Sequence, residues 1–102
     1  LRPGDLLHVN LYWTTSQPLP GDWGVEIAVV DAGGRVQVQI SGEPVGGYPT
    51  GQWQAGDLWR GQFALPLPAD LPGGRYRLRI GAIAPDGDRL HEFLAEPFWV
   101  GD

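Results

Sequence analysis

The strongest constraint on this chain is a two-residue alternation of apolar and polar side chains, repeated in short runs that Gly and Pro cut off. From Leu6 to Trp13, the residues Leu7, Val9, Leu11 and Trp13 share one face, and His8, Asn10 and Tyr12 share the other. A period of two is the signature of a half-buried strand. The pattern recurs over Trp23 to Asp31, with Val25, Ile27 and Val29 inward, and over Arg35 to Ser41, with Val36, Val38 and Ile40 inward. It recurs again over Leu58 to Leu67 (Trp59, Phe63 and Leu65) and over Arg75 to Ala84 (Tyr76, Leu78 and Ile80). Arg89 to Val100 completes the set, with an interruption expected at Pro97. Asp31-Ala32-Gly33-Gly34 joins the second and third runs as a hairpin turn, and Pro85-Asp86-Gly87-Asp88 is a second turn. Pro66 and Pro68 end the fourth run, because proline has no N–H to give to a ladder. Pro68 to Gly74 is a connection with room for one short helical turn. No window carries a helical period with caps. The expected fold is all-β: an immunoglobulin-like or fibronectin type III-like antiparallel β-sandwich of about seven strands, one domain over residues 1–102.

Composition narrows the chemistry. The 16 Gly and 10 Pro punctuate apolar runs and show no repeat period. With 42% apolar residues in 102, the chain can build one modest core and has little left for a deep pocket. The net charge of -5 argues against a nucleic-acid partner, which needs a basic face, and against docking to anionic lipid. All seven basic residues are Arg. The absence of Cys excludes a disulfide framework, a thiolate nucleophile and a Cys-ligated zinc. No apolar run approaches the ~18 residues of a membrane span. A start at Leu1, with no Met anywhere, reads as a domain excised from a larger protein.

Residues able to do chemistry are few and scattered. His8 and His91 fall on different strands, and a metal needs three or more convergent ligands. Glu26, Glu43, Glu92 and Glu96 lie on separate segments, with no cleft to oppose two carboxylates. Ser16 and Ser41 lack a nucleophile elbow. Asp86-Gly87-Asp88 offers too few oxygens for calcium and suits a turn. No catalytic residue, metal or cofactor is therefore expected, and the domain is not read as an enzyme. Arg75, Arg77 and Arg79 form a basic stripe that either meets an acidic partner domain or a sugar phosphate, or pairs with Asp, Glu or Gln on neighbouring strands. Trp13, Trp59 and Trp99 are expected to face inward. The long segment Gly42 to Asp57 carries Tyr48 and Trp53. These two are either anchors of a loop packed across one end of the sandwich or a stacking surface for a sugar ring. They are the candidate ligand-binding residues.

One stretch is more specific than the alternation. It runs Tyr48-Pro49-Thr50-Gly51-Gln52-Trp53-Gln54-Ala55-Gly56-Asp57, then Phe63-Ala64-Leu65-Pro66-Leu67-Pro68-Ala69-Asp70-Leu71-Pro72-Gly73-Gly74-Arg75-Tyr76. With the opening Pro3-Gly4-Asp5 and Val9-Asn10-Leu11-Tyr12-Trp13, it resembles β-sandwich domains near the C-termini of bacterial membrane glycosyltransferase-like proteins of the dolichyl-phosphate-mannose mannosyltransferase type. The likeness departs after Ile80, where the family's Gly-Leu-Tyr-Asp-type run is replaced by Gly81-Ala82-Ile83-Ala84. The resemblance carries no catalytic residue. It implies an accessory, extracytoplasmic or cell-surface domain of a membrane-bound or exported protein, with the other domains of the parent chain as partners. The alternative is a carbohydrate-binding module using Tyr48 and Trp53.

Overall fold

The computed structural model describes residues 1–14, 21–46, 50–56 and 58–101, and for 89–91 the backbone alone. Among the described residues seven strands follow one another: β1 (Leu6–Thr14), β2 (Gly24–Val30), β3 (Val36–Gly42), β4 (Leu58–Pro66), β5 (Gly74–Ile83), β6 (Arg89–Leu94) and β7 (Phe98–Val100). The only helical element among the described residues is a single 3-10 turn, Thr50–Gln52. The link Pro68 to Gly73, which had room for a helical turn, is a simple turn closed by the Leu71 N–H on the Pro68 carbonyl. Leu71 drops from it into the core.

All pairings are antiparallel and fall into two packed sheets. β1 and β4 form the smaller one, in register from Leu6 opposite Pro66 to Thr14 opposite Leu58 without a bulge. The larger sheet runs β3-β2-β5-β6, and β7 pairs β5 beyond the end of β6. The expected interruption at Pro97 is thus a break between two short strands that share one side of β5. The core lies between the sheets and contains Val9, Val25, Ile27, Val29, Leu65, Leu67, Leu71, Tyr76, Ile80 and Val100. Leu7, Leu11, Trp13, Phe63, Leu78 and Phe98 pack around it, half-buried. The inward residues expected on β1, β2 and β5 all face this core, as do Phe63 and Leu65 of β4, while Trp59 packs against Trp53. Near the start of β5, the Tyr76 hydroxyl turns back and donates to the Pro72 carbonyl.

Two expectations fail, both where the alternation changes phase. Val36 was expected inward and is 44% exposed. A bulge between Val29 and Val30 sets Val36 opposite Val30, after Val38 has paired with Val29, so Val36 moves to the outer face. Trp99 was also expected inward and is 64% exposed. β7 restarts after Pro97 with Phe98 opposite Tyr76, so Phe98 takes the core side and Trp99 the outer side opposite Arg75.

The β2–β3 hairpin is closed at both ends of its turn. Asp31 and Arg35 are joined by the Asp31 N–H on the Arg35 carbonyl at 3.0 Å. The Asp31 carboxylate accepts the Gly33 and Arg35 amides at 2.9 Å each. Gly34 takes a φ of 81°, the left-handed value that glycine reaches without strain.

Candidate functional site

The residues singled out for ligand binding separate on inspection. Tyr48 lies outside the described residues. Trp53 is only 4% exposed. Its ring packs against that of Trp59, with centroids 6.4 Å apart and planes at 31°. The Thr50–Gln52 turn holds it there, through the Trp53 N–H on the Thr50 carbonyl at 3.0 Å. Thr50 is itself buried, and its hydroxyl accepts the Trp23 N–H at 2.7 Å while donating to the Gly21 carbonyl at 3.2 Å. The Gly51 N–H reaches the Asp22 carboxylate at 3.1 Å. This segment is therefore stitched to the entry of β2, and the Trp53 indole acts as a plug under it. Such a ring has no open face for a sugar, so the anchor role fits Trp53 and the stacking role does not.

The carboxylates are less scattered than the sequence suggests. Glu26 and Glu92 both stand opposite Gly81, one on each side of it. Glu26 is nevertheless buried, and both residues already interact with other groups. Among the described residues, no three of His, Asp and Glu come together to hold a metal ion.

A different surface stands out on the outer face of the larger sheet. Arg75, Arg77 and Arg79 project from β5 at alternate positions, about 6.6 Å apart along the strand. Among the described residues, no acid stands directly across the ladder from any of the three. Arg79 lies between Ala28 and Leu94, Arg77 opposite Val30, and Arg75 opposite Trp99. Glu26 and Glu92 flank Gly81, one position of the same face beyond Arg79, and both already interact with other groups. At the other end the Asp31 oxygens are occupied by turn amides and by the Gln37 side chain. Ala28 and Val30 are buried although they face outward. Arg77 and Arg79 stand directly across from them, where the aliphatic stems of arginine can cover apolar ground while the heads stay in water.

Trp99 completes the patch. The Arg75 guanidinium carbon lies 5.2 Å from the centroid of its ring, a cation–π contact, and the ring remains 64% exposed. A groove of about 410 Å³ runs between the β2–β3 turn at Asp31 to Gly34 and Leu94, with the three arginines along it. The stripe was legible in the sequence as an i, i+2, i+4 pattern. Its apolar surroundings and its aromatic end depend on strand pairing, and so were not. Compared with family models, with curated proteins and with solved structures, the chain finds no match in any of the three.

Proposed function

We propose that this is a non-catalytic interaction domain that binds an acidic neighbour through the Arg75–Arg77–Arg79 stripe. One observation carries the reading: three guanidiniums, with apolar residues and no acid directly across from them among the described residues, stand beside an exposed Trp in a chain of net charge -5. Guanidinium matches carboxylate and phosphate in a planar, two-point fashion, and low local polarity strengthens the contact. The partner is another domain of the same parent protein. The resemblance noted above supports placing that parent among membrane-bound or exported bacterial proteins, glycosyltransferase-related and extracytoplasmic. The finer fold reading, an immunoglobulin or fibronectin type III sandwich, is supported by the β3-β2-β5-β6 order facing β1-β4. It is also supported by the Tyr76 hydroxyl bonded back to Pro72, the geometry of a tyrosine corner.

Carbohydrate binding remains the second reading, moved from Trp53 to Trp99. The observation that favours it is an exposed indole with a guanidinium at one side, a platform for a sugar ring that bears a carboxylate or phosphate. Both readings are tested by one titration, following Trp fluorescence with three probes. These are a peptide with Glu at alternate positions, an acidic oligosaccharide and a neutral mannose oligosaccharide. The first reading expects the peptide to bind, with an affinity that falls as salt rises, and expects Arg77→Gln to weaken it about tenfold. Preference for the acidic oligosaccharide, lost in Trp99→Ala, selects the second. If no anionic probe binds at millimolar concentration, both readings fail.

A further inference from the structure

A sheet edge is a row of N–H and C=O groups, and folded proteins cover it, shorten it, bulge it or charge it. Most edges of this molecule are treated in one of these ways. β4 carries Arg60 and Gly61 and ends on Pro66. β3 is offset by its bulge with β2. The β6–β7 side is broken at Ala95 to Pro97, shifts register at Gly81/Ala82, and is capped by the Gly101 N–H on the Leu1 carbonyl.

β1 has none of these devices. It is nine residues long, regular, and free of Pro, Gly, Asp, Glu, Lys and Arg. Among the described elements its strand neighbour is β4 alone. The Leu67 N–H bonds to the carbonyl of Asp5, directly opposite it, and this fixes the phase of the ladder. In an antiparallel pair, hydrogen-bonded positions alternate with non-bonded ones. The odd-numbered residues of β1 therefore bond to β4, and the amides and carbonyls of Leu6, His8, Asn10, Tyr12 and Thr14 point outward.

We infer that β1 pairs with β1 of a second copy, antiparallel about a two-fold axis at Asn10. The register follows from self-complementarity. Asn10 is the midpoint of the strand, and its backbone groups face outward, so the two Asn10 residues form a hydrogen-bonded pair. His8 of one copy then faces Tyr12 of the other, and Leu6 faces Thr14. On the inner side, Leu7 meets Trp13 and Val9 meets Leu11, joining the half-buried rims of the two cores. A one-residue slip would set the core face against the solvent face. Because the strand carries no formal charge, no like charges oppose each other, although each chain has a net charge of -5. The smaller sheet becomes four-stranded across the axis, in an isologous contact that closes. This inference uses a different surface from the arginine stripe and stands independently of it.

Sedimentation equilibrium from micromolar to millimolar protein tests the assembly, and an introduced thiol tests its register. The expected result is a concentration-dependent species of twice 11.1 kDa. Asn10→Lys, at an exposed position, sets two cations opposite each other and should weaken the dimer tenfold or more without changing the circular dichroism of the chain. The chain has no Cys, so a single one reports cleanly. Two Cys at position 10 would lie about 5.5 Å apart at their Cα atoms, within disulfide range. Two at position 8 would be separated by about 13 Å, out of reach. Oxidation should therefore link Asn10→Cys covalently and leave His8→Cys unlinked. A monomer at every concentration, equal cross-linking of both variants, or an Asn10→Lys variant that still dimerises would overturn the proposal.

Discussion

Single residues in this domain act by joining segments that the sequence keeps far apart. Thr50 is the clearest case, since one hydroxyl satisfies an amide and a carbonyl 27 and 29 positions away. Thr50→Val keeps the shape and removes both bonds, leaving the Trp23 N–H without its acceptor. Urea unfolding should show a loss of about 2 kcal/mol. Gly61 matters for the opposite reason, because it provides space. Its partner is the Pro44 carbonyl, a backbone group that cannot swing aside, so Gly61→Ala forces two segments apart. The expected cost is about 3 kcal/mol, read as a lower denaturation midpoint, and a shift or loss of the Trp53 fluorescence environment should accompany it. Neither role is visible in sequence. Thr50 sits in a segment without strand pattern, and Gly61 reads as one more glycine among 16.

At the level of elements, phase decides which residues count. The alternation alone ranks Val29 and Val36 as equal core positions. The bulge between Val29 and Val30 separates them, burying Val29 completely and turning Val36 out. Val36→Thr should change stability by less than about 0.5 kcal/mol, and Val29→Ala should cost about 2 kcal/mol. Equal losses in thermal unfolding would mean that the bulge is not formed. The comparison also marks how far the sequence could be read. β1 to β5 were found because their periodicity is a local property of consecutive residues. A bulge, or a restart such as the one after Pro97, shifts that phase by one residue and leaves the composition unchanged. Val36 and Trp99 were misplaced for this reason alone. Strand order is a non-local property, so the apolar neighbours of Arg77 and Arg79 could not be foreseen, although the stripe itself was plain. The candidate at Trp53 was drawn from an aromatic in a long loop. The structure shows that its Thr50 to Trp53 part is stitched down, and a plug and a platform have the same one-letter code.

The whole molecule is lopsided, two strands against five, and measures 44 × 22 × 19 Å. Its Cα radius of gyration is 14.7 Å, against about 13 Å for an average compact chain of this length. The elongation leaves much of the β1–β4 layer thinly covered, since among the described strands only β4 flanks β1. That has a consequence in time. Backbone amides exchange their hydrogen for deuterium slowly where a partner holds them and quickly where water does. In a single copy of this chain, the amides of Leu7, Val9, Leu11 and Trp13 should be retained for long periods, while those of His8, Asn10 and Tyr12 should be lost at once. The record along β1 would then flicker between slow and fast at every step, in a strand that looks uniform. As protein concentration rises and two copies meet, the fast positions should slow and the flicker fade. One strand would thus report, amide by amide, whether the molecule is alone.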